Sequence, residues 1–183
     1  MVFAHDTVEA LEAAAFLANS ELDPDTLTTF DDLVNFFDTF RYSGPRPLAR
    51  DLREVREIRS RLRGLFKATR NDAVPLVNEI LAEKQALPQV VRHDERDWHI
   101  HAASDDRPYA ERILVETAMA IIDVIRADEF QRFGRCEMED CAGVVIDLSR
   151  NRSRKYCSVT CTNRASQAAF RARQAEAEEL ETA

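Results

Sequence analysis

Every cysteine in the chain falls inside one window, as Cys136, Cys141, Cys157 and Cys161. The spacing is C-x4-C, then fifteen residues, then C-x3-C. Two short-spaced pairs on either side of a hairpin-sized loop are the sequence form of a structural zinc site with four cysteine ligands. Unrelated cysteines would scatter, and here none does. The opening stretch "MVFAHDTVEALEAAAFLA" lacks a basic leader and carries Asp6, Glu9 and Glu12 among its apolar residues, so it does not read as a secretion signal. A reducing cytoplasm is the expected compartment, where thiolate ligands are favoured over disulfides. With all four positions taken by protein thiolates, the expected cofactor is one structural Zn2+, without the open position a catalytic zinc needs. A redox-sensitive zinc switch would use the same residues.

The local sequence fits each part of such a site. "CEMEDC" is a polar turn, "GVVIDL" a strand, and "SRNRSRK" the expected turn and return of a hairpin between the pairs. Cys157 and Cys161 are four apart, so both thiolates can leave the first turn of a helix on one side. The positive end of that helix suits the net negative charge of a tetrathiolate zinc centre. Ala165, Ala168 and Ala172 are expected to form a small-residue face packed against the zinc module. The arrangement is treble-clef-like.

Charge is unevenly spread in a chain whose formal net charge is −8. Residues 1–130 carry −9, residues 131–175 carry +5, and the last eight residues carry −4. Screening over about 8–10 Å leaves a local basic face free to act in an acidic protein. The basic block is made of Arg150, Arg152, Arg154, Lys155, Arg164, Arg171 and Arg173, with Asn151 and Asn163 among them. Arginine forks suit phosphate and guanine edges, and asparagine suits adenine. These nine residues are the candidate nucleic-acid contacts. The competing role is neutralisation of the zinc centre, for which Arg164 is best placed.

Before the cysteines the chain reads as five helices and one hairpin. Residues 6–20 form the first, with Asp6 as its N-cap. Residues 23–40 form the second, with an acidic first turn, ending near "SGPRP". The third runs continuously through Leu48, Leu52, Val55, Ile58, Leu62 and Leu65, at steps of three and four. Its alternating arginines and acids read as a solvated face with intrahelical ion pairs. Residues 71–86 form the fourth, with Pro75 in the first turn. "PQVVRHDERDWHIHAAS" then changes period and predicts a hairpin near 88–103. A long buried helix follows, through Ala110, Ile113, Leu114, Thr117, Ile121, Val124 and Ile125. The fold class is mainly α with a small β-hairpin. It comprises a helical N-terminal domain, residues 1–133, and a four-cysteine zinc finger with a C-terminal helix, residues 134–183.

His93, Trp98, His99 and His101 gather in that hairpin. His99 and His101 share a strand face; the three histidines offer either a second metal site or, with Trp98, a polar pocket as the candidate ligand site, as against ordinary surface histidines beside one half-buried tryptophan. No nucleophile–base pair, glycine-rich phosphate loop or catalytic carboxylate pair is present, so no enzyme activity is expected. No apolar run reaches the ~18–20 residues of a membrane span.

The stretch "VIDLSRNRSRKYCSVTCTNRASQAAFRAR" behind C-x4-C resembles the CGNR zinc finger. "LANS", "PLVNEILA" and "RHDERDWHIH" are similar to the ABATE domain that precedes it in bacterial proteins regarded as stress-induced transcriptional regulators. The family's Cys-Gly-Asn-Arg is here Cys161-Thr162-Asn163-Arg164. The ligand is kept, and the glycine's close backbone approach to a partner is lost. The resemblance implies a DNA-binding regulator, with the N-terminal domain sensing a small-molecule effector or protein partner. A homodimer would suit a palindromic site. The alternative is a zinc-stabilised protein-interaction module that does not bind DNA.

Overall fold

The computed structural model describes residues 3–42, 44–92 and 98–182. Its elements are α1 (His5–Ser20), α2 (Phe30–Phe40), α3 (Ala49–Glu57), α4 (Arg59–Lys67), α5 (Arg70–Glu83), β1 (Gln89–Val91), β2 (His99–His101), α6 (Tyr109–Arg126), β3 (Phe133–Arg135), β4 (Val144–Ile146) and α7 (Val159–Thr182). A 3-10 turn, Phe130–Arg132, leads into β3. No described helix is long and apolar enough to cross a membrane.

The core is built around α1, which packs against α6 and α4, with α5 also packed on α6. Leu11 and Leu17 of α1, Leu62 of α4, Ile80 of α5, and Ile113 and Ile121 of α6 are fully buried. Each such side chain contributes roughly 1.5–3 kcal/mol on leaving water. Phe36, Phe37, Tyr42 and Tyr109 extend the core as an aromatic cluster, with Phe37 and Tyr109 4.1 Å apart between ring centroids. Arg112 is buried among them, over the Tyr109 ring and 2.9 Å from the Asp105 carboxylate.

Several local expectations are corrected. Asp6 does not cap α1. Ala4 occupies the cap, and Asp6 sits in the first turn, accepting from the Thr7 N–H. The second helix begins at Phe30, because Thr29 and Asp32 form a capping box there. The residues before it are a loop in which Asp25 accepts from Arg59 at 2.9 and 3.0 Å. The third expected helix is two, broken at Ile58. The break coincides with Arg59, which is buried against Asp25 and Ser20. Leu48 stands at the N-cap of α3 and is exposed. α5 starts at Arg70 under a Thr69 cap, so Pro75 lies in its second turn.

The described residues form two antiparallel hairpins. In the first, Gln89, Val90 and Val91 pair with His101, Ile100 and His99. In the second, Phe133, Gly134 and Arg135 pair with Ile146, Val145 and Val144. This second hairpin encloses the first cysteine pair instead of lying between the two pairs. Its strand β4 is buried, and Val144 and Ile146 belong to the same core as the helices. The expected division at 133 and 134 thus falls at the start of β3, whose partner strand packs on α1. Asn19 joins the two: its amide donates to the Val144 carbonyl at 2.9 Å and accepts from the Val144 N–H at 2.8 Å.

Candidate metal centre and basic surface

The β3–β4 turn brings Cys136 and Cys141 together, and Cys157 and Cys161 approach from the start of α7. Ser158 caps that helix, its hydroxyl accepting from the Cys161 N–H at 3.1 Å. The four sulfurs lie within 4.8 Å of one another. Three of the separations are 3.5, 3.8 and 3.8 Å. A tetrahedral zinc with bonds of 2.3 Å requires sulfurs about 3.8 Å apart, so the donor set fits the ion. Backbone N–H groups point at sulfur, among them Gly143 at Cys141 (3.4 Å) and Cys157 at Cys136 (3.5 Å).

These contacts explain the thiol acidities. Burial opposes ionisation of Cys136, but N–H groups of Cys157 and Met138 outweigh it and hold the thiol low. Burial pushes Cys141 up despite the Gly143 N–H, and pushes Cys157 up further, with the neighbouring sulfurs adding to it. A cation is what would hold all four as thiolates. Gly143 is required by space. A Cβ there would lie 2.6 Å from the Cys157 sulfur and 2.9 Å from its Cβ.

The arginine segment is held by more than the metal. Arg132, buried in the 3-10 turn, donates to the carbonyls of Asp147 and Ser149, both at 2.9 Å. Its Nε also reaches Glu129 at 2.8 Å. Asp147, at the end of β4, accepts from the Ser149 N–H at 2.9 Å, from the Ser149 hydroxyl, and from the Arg154 N–H at 2.7 Å. Burial would raise the Asp147 carboxyl, but these donors and the Arg132 charge hold it below the usual carboxylate range. The Glu137 N–H bonds the Lys155 carbonyl and tethers the segment to the knuckle. Residues 150–155 are irregular and form no returning strand.

The candidate nucleic-acid residues divide into two groups. Arg152 pairs with Glu129 at 2.8 Å, Lys155 with Glu137 at 3.2 Å, and Arg164 with Asp140 in the knuckle. Arg164 also feels the Cys161 and Cys141 sulfurs, after the larger effect of Asp140. Among the described residues, the Arg154 side chain reaches only the carbonyls of Tyr156 and Cys157, both at 3.4 Å. Among the described residues, Arg150, Arg171 and Arg173 make no ion pair. Asn151 and Asn163 are exposed.

The expected alanine packing of α7 is absent. Cys161 is buried and Ala165 half-buried, but residues 166–175 are exposed, Ala168 and Ala172 included. From residue 166 to residue 175 the helix stands clear of the body. Two residues apart, Arg171 and Arg173 face nearly opposite directions on it.

His99 and His101 are half-buried on one face of β2, with Nε2 atoms 3.1 Å apart, and Trp98 is exposed. His93 lies outside the described residues.

Sequence reasoning passed over Arg132, Asp147 and Asn19. A signal for Asp147 was available: an Asp two residues before a Ser at a strand end is a turn signature. Arg132 and Asn19 act through tertiary contacts that carry no local pattern.

Comparison with known families gives two matches. Residues 11–128 match ABATE, described as "Putative stress-induced transcription regulator", and residues 132–174 match the CGNR zinc finger. Neither is an enzyme type. No curated protein matches the chain. The zinc-finger match and the sulfur geometry agree on one structural zinc ion held by the four cysteines.

Proposed function

Because the chain belongs to the ABATE family of described transcription regulators, we propose that it binds DNA through the zinc-rooted segment 150–173. In this reading residues 134–183 contact DNA, and residues 1–133 sense an effector or partner. The site of action is the cytoplasm of a bacterial cell. The observation that carries the reading is α7 itself, a helix rooted on the metal, exposed from residue 166 to residue 175, with arginines on opposite sides. A helix lying in a major groove meets phosphates on both flanks and bases in front, which suits that layout. Arg150 and Arg154 present further positive charge from the pinned segment. The pairs of Lys155 and Arg164 are solvent-exposed on both sides, so exchange of their carboxylates for phosphates costs little, whereas the Glu129 partner of Arg152 is half-buried and shared with Arg132.

The salt dependence of DNA affinity tests this. Four basic residues with no carboxylate partner among the described residues (Arg150, Arg154, Arg171 and Arg173) predict a slope of log K against log salt of about −3.6. Recruiting all seven predicts about −6. Arg150→Ala or Arg171→Ala flattens the slope by about 1. A protein with no DNA affinity at low salt would instead be the protein-interaction module.

A further inference from the structure

The strongest unassigned chemistry is on the first hairpin. The register of β1 against β2 puts His99 opposite Val91 and His101 opposite Gln89, so both imidazoles leave the same face. Both are half-buried. The strand is itself held in place, because the Ile100 N–H donates to the Asp6 carboxylate of α1 at 3.2 Å. The rings sit 4.9 Å apart at 63° to one another, with both Nε2 atoms turned inward to a separation of 3.1 Å.

We propose that His99 and His101 form a second metal site, taking a divalent transition-metal ion through both Nε2 atoms. In the metal-free chain one ring donates to the other. A cation placed between the nitrogens would replace that shared proton. With metal–nitrogen bonds of 2.0–2.1 Å, a 3.1 Å separation gives an N–metal–N angle of about 100°, between square and tetrahedral values. Imidazole donors favour Zn, Cu and Ni over Ca or Mg. Among the described residues, the four cysteines are the only cluster of three or more metal-ligating side chains. In this proposal the pair supplies two donors, and water or donor atoms of an effector complete the coordination, unlike the four-thiolate cysteine site. The inference deepens the sensing part of the reading above, by naming the ligand class.

The test is calorimetric titration of the full-length, zinc-loaded protein with NiCl2. One saturable Ni2+ equivalent is expected, with zinc retained. His99→Gln and His101→Gln should each weaken it by about tenfold or more, as loss of metal-site partners does. Circular dichroism of each variant checks that the fold survives. His5→Ala controls for the other described histidine, near the chain start, and should change nothing. Absence of saturable binding, or binding unchanged in the His99→Gln/His101→Gln double variant, overturns the site. The titration contains no DNA, so its outcome is independent of the DNA reading. Ni2+ binding that leaves DNA affinity unchanged keeps the site and removes its regulatory role.

Discussion

At the scale of single residues, the metal centre depends on one position with no side chain. Gly143→Ala pushes a methyl group to 2.6 Å from a ligand sulfur. The clash meets a thiolate fixed by zinc, so it cannot be relieved by a rotamer change. It should cost about 1–3 kcal/mol and speed zinc loss to a chromogenic chelator. Gly64 is the contrasting case: an exposed position inside α4 with nothing within 4 Å of an added Cβ. Gly64→Ala should raise stability by about 0.5–1 kcal/mol in urea unfolding. Asp147 is the other critical residue. Asp147→Asn removes a charged acceptor of three hydrogen bonds and should cost about 1–3 kcal/mol. Its folded carboxyl sits below the ordinary 3.8. The stabilisation it gives is therefore complete above the unfolded value and lost as pH falls through the folded one. Asp25 behaves alike, with its carboxyl lowered to about 2, chiefly by the hydrogen bonds from Arg59. Acid unfolding should draw on both below the ordinary carboxylate range, the Asp25 contribution being lost as pH falls from about 4 towards about 2, and Asp25→Asn should flatten the curve there.

At the scale of elements, legibility followed periodicity. The apolar rows of α1 and α6 were readable because both keep helical spacing over several turns, α1 burying one side and α6 most of its circumference. The α3–α4 break was not, because the hydrophobic steps continue through Ile58, and only the tertiary pairing of Arg59 with Asp25 marks the interruption. The cysteine cluster was legible from spacing alone. The hairpin around it was misplaced because "GVVIDL" finds its partner upstream, in Phe133–Arg135, a pairing that local pattern does not encode. α7 was expected to pack through alanines and instead projects. It follows that the double substitution Ala168→Gln/Ala172→Gln should leave the thermal midpoint within roughly 1–2 °C of the original chain, since both positions are exposed and no core area is lost. A larger drop in differential scanning fluorimetry would mean that the helix packs on the body after all.

At the scale of the whole molecule, the two segments share a core. Val144 and Ile146 of the zinc hairpin are buried with the helices, and the Asn19 amide bridges α1 to β4 as another strand would. Removing zinc should therefore lower the melting point of the helical part as well. Asn19→Ala should reduce stability by about 1–3 kcal/mol, by orphaning both Val144 backbone groups. The same connection offers a route by which a ligand on the first hairpin could bias the basic segment, since Asp6 and Asn19 are both on α1. The central claim is that metal, Arg132 and Asp147 together hold a basic surface for DNA. The most direct measurement is binding of the intact, reduced protein to genomic DNA fragments at low salt, with zinc loaded and after chelation. The predicted result is saturable, salt-sensitive binding that falls by about tenfold or more once the metal is removed. Binding of equal strength with and without zinc, or none in either state, would contradict it.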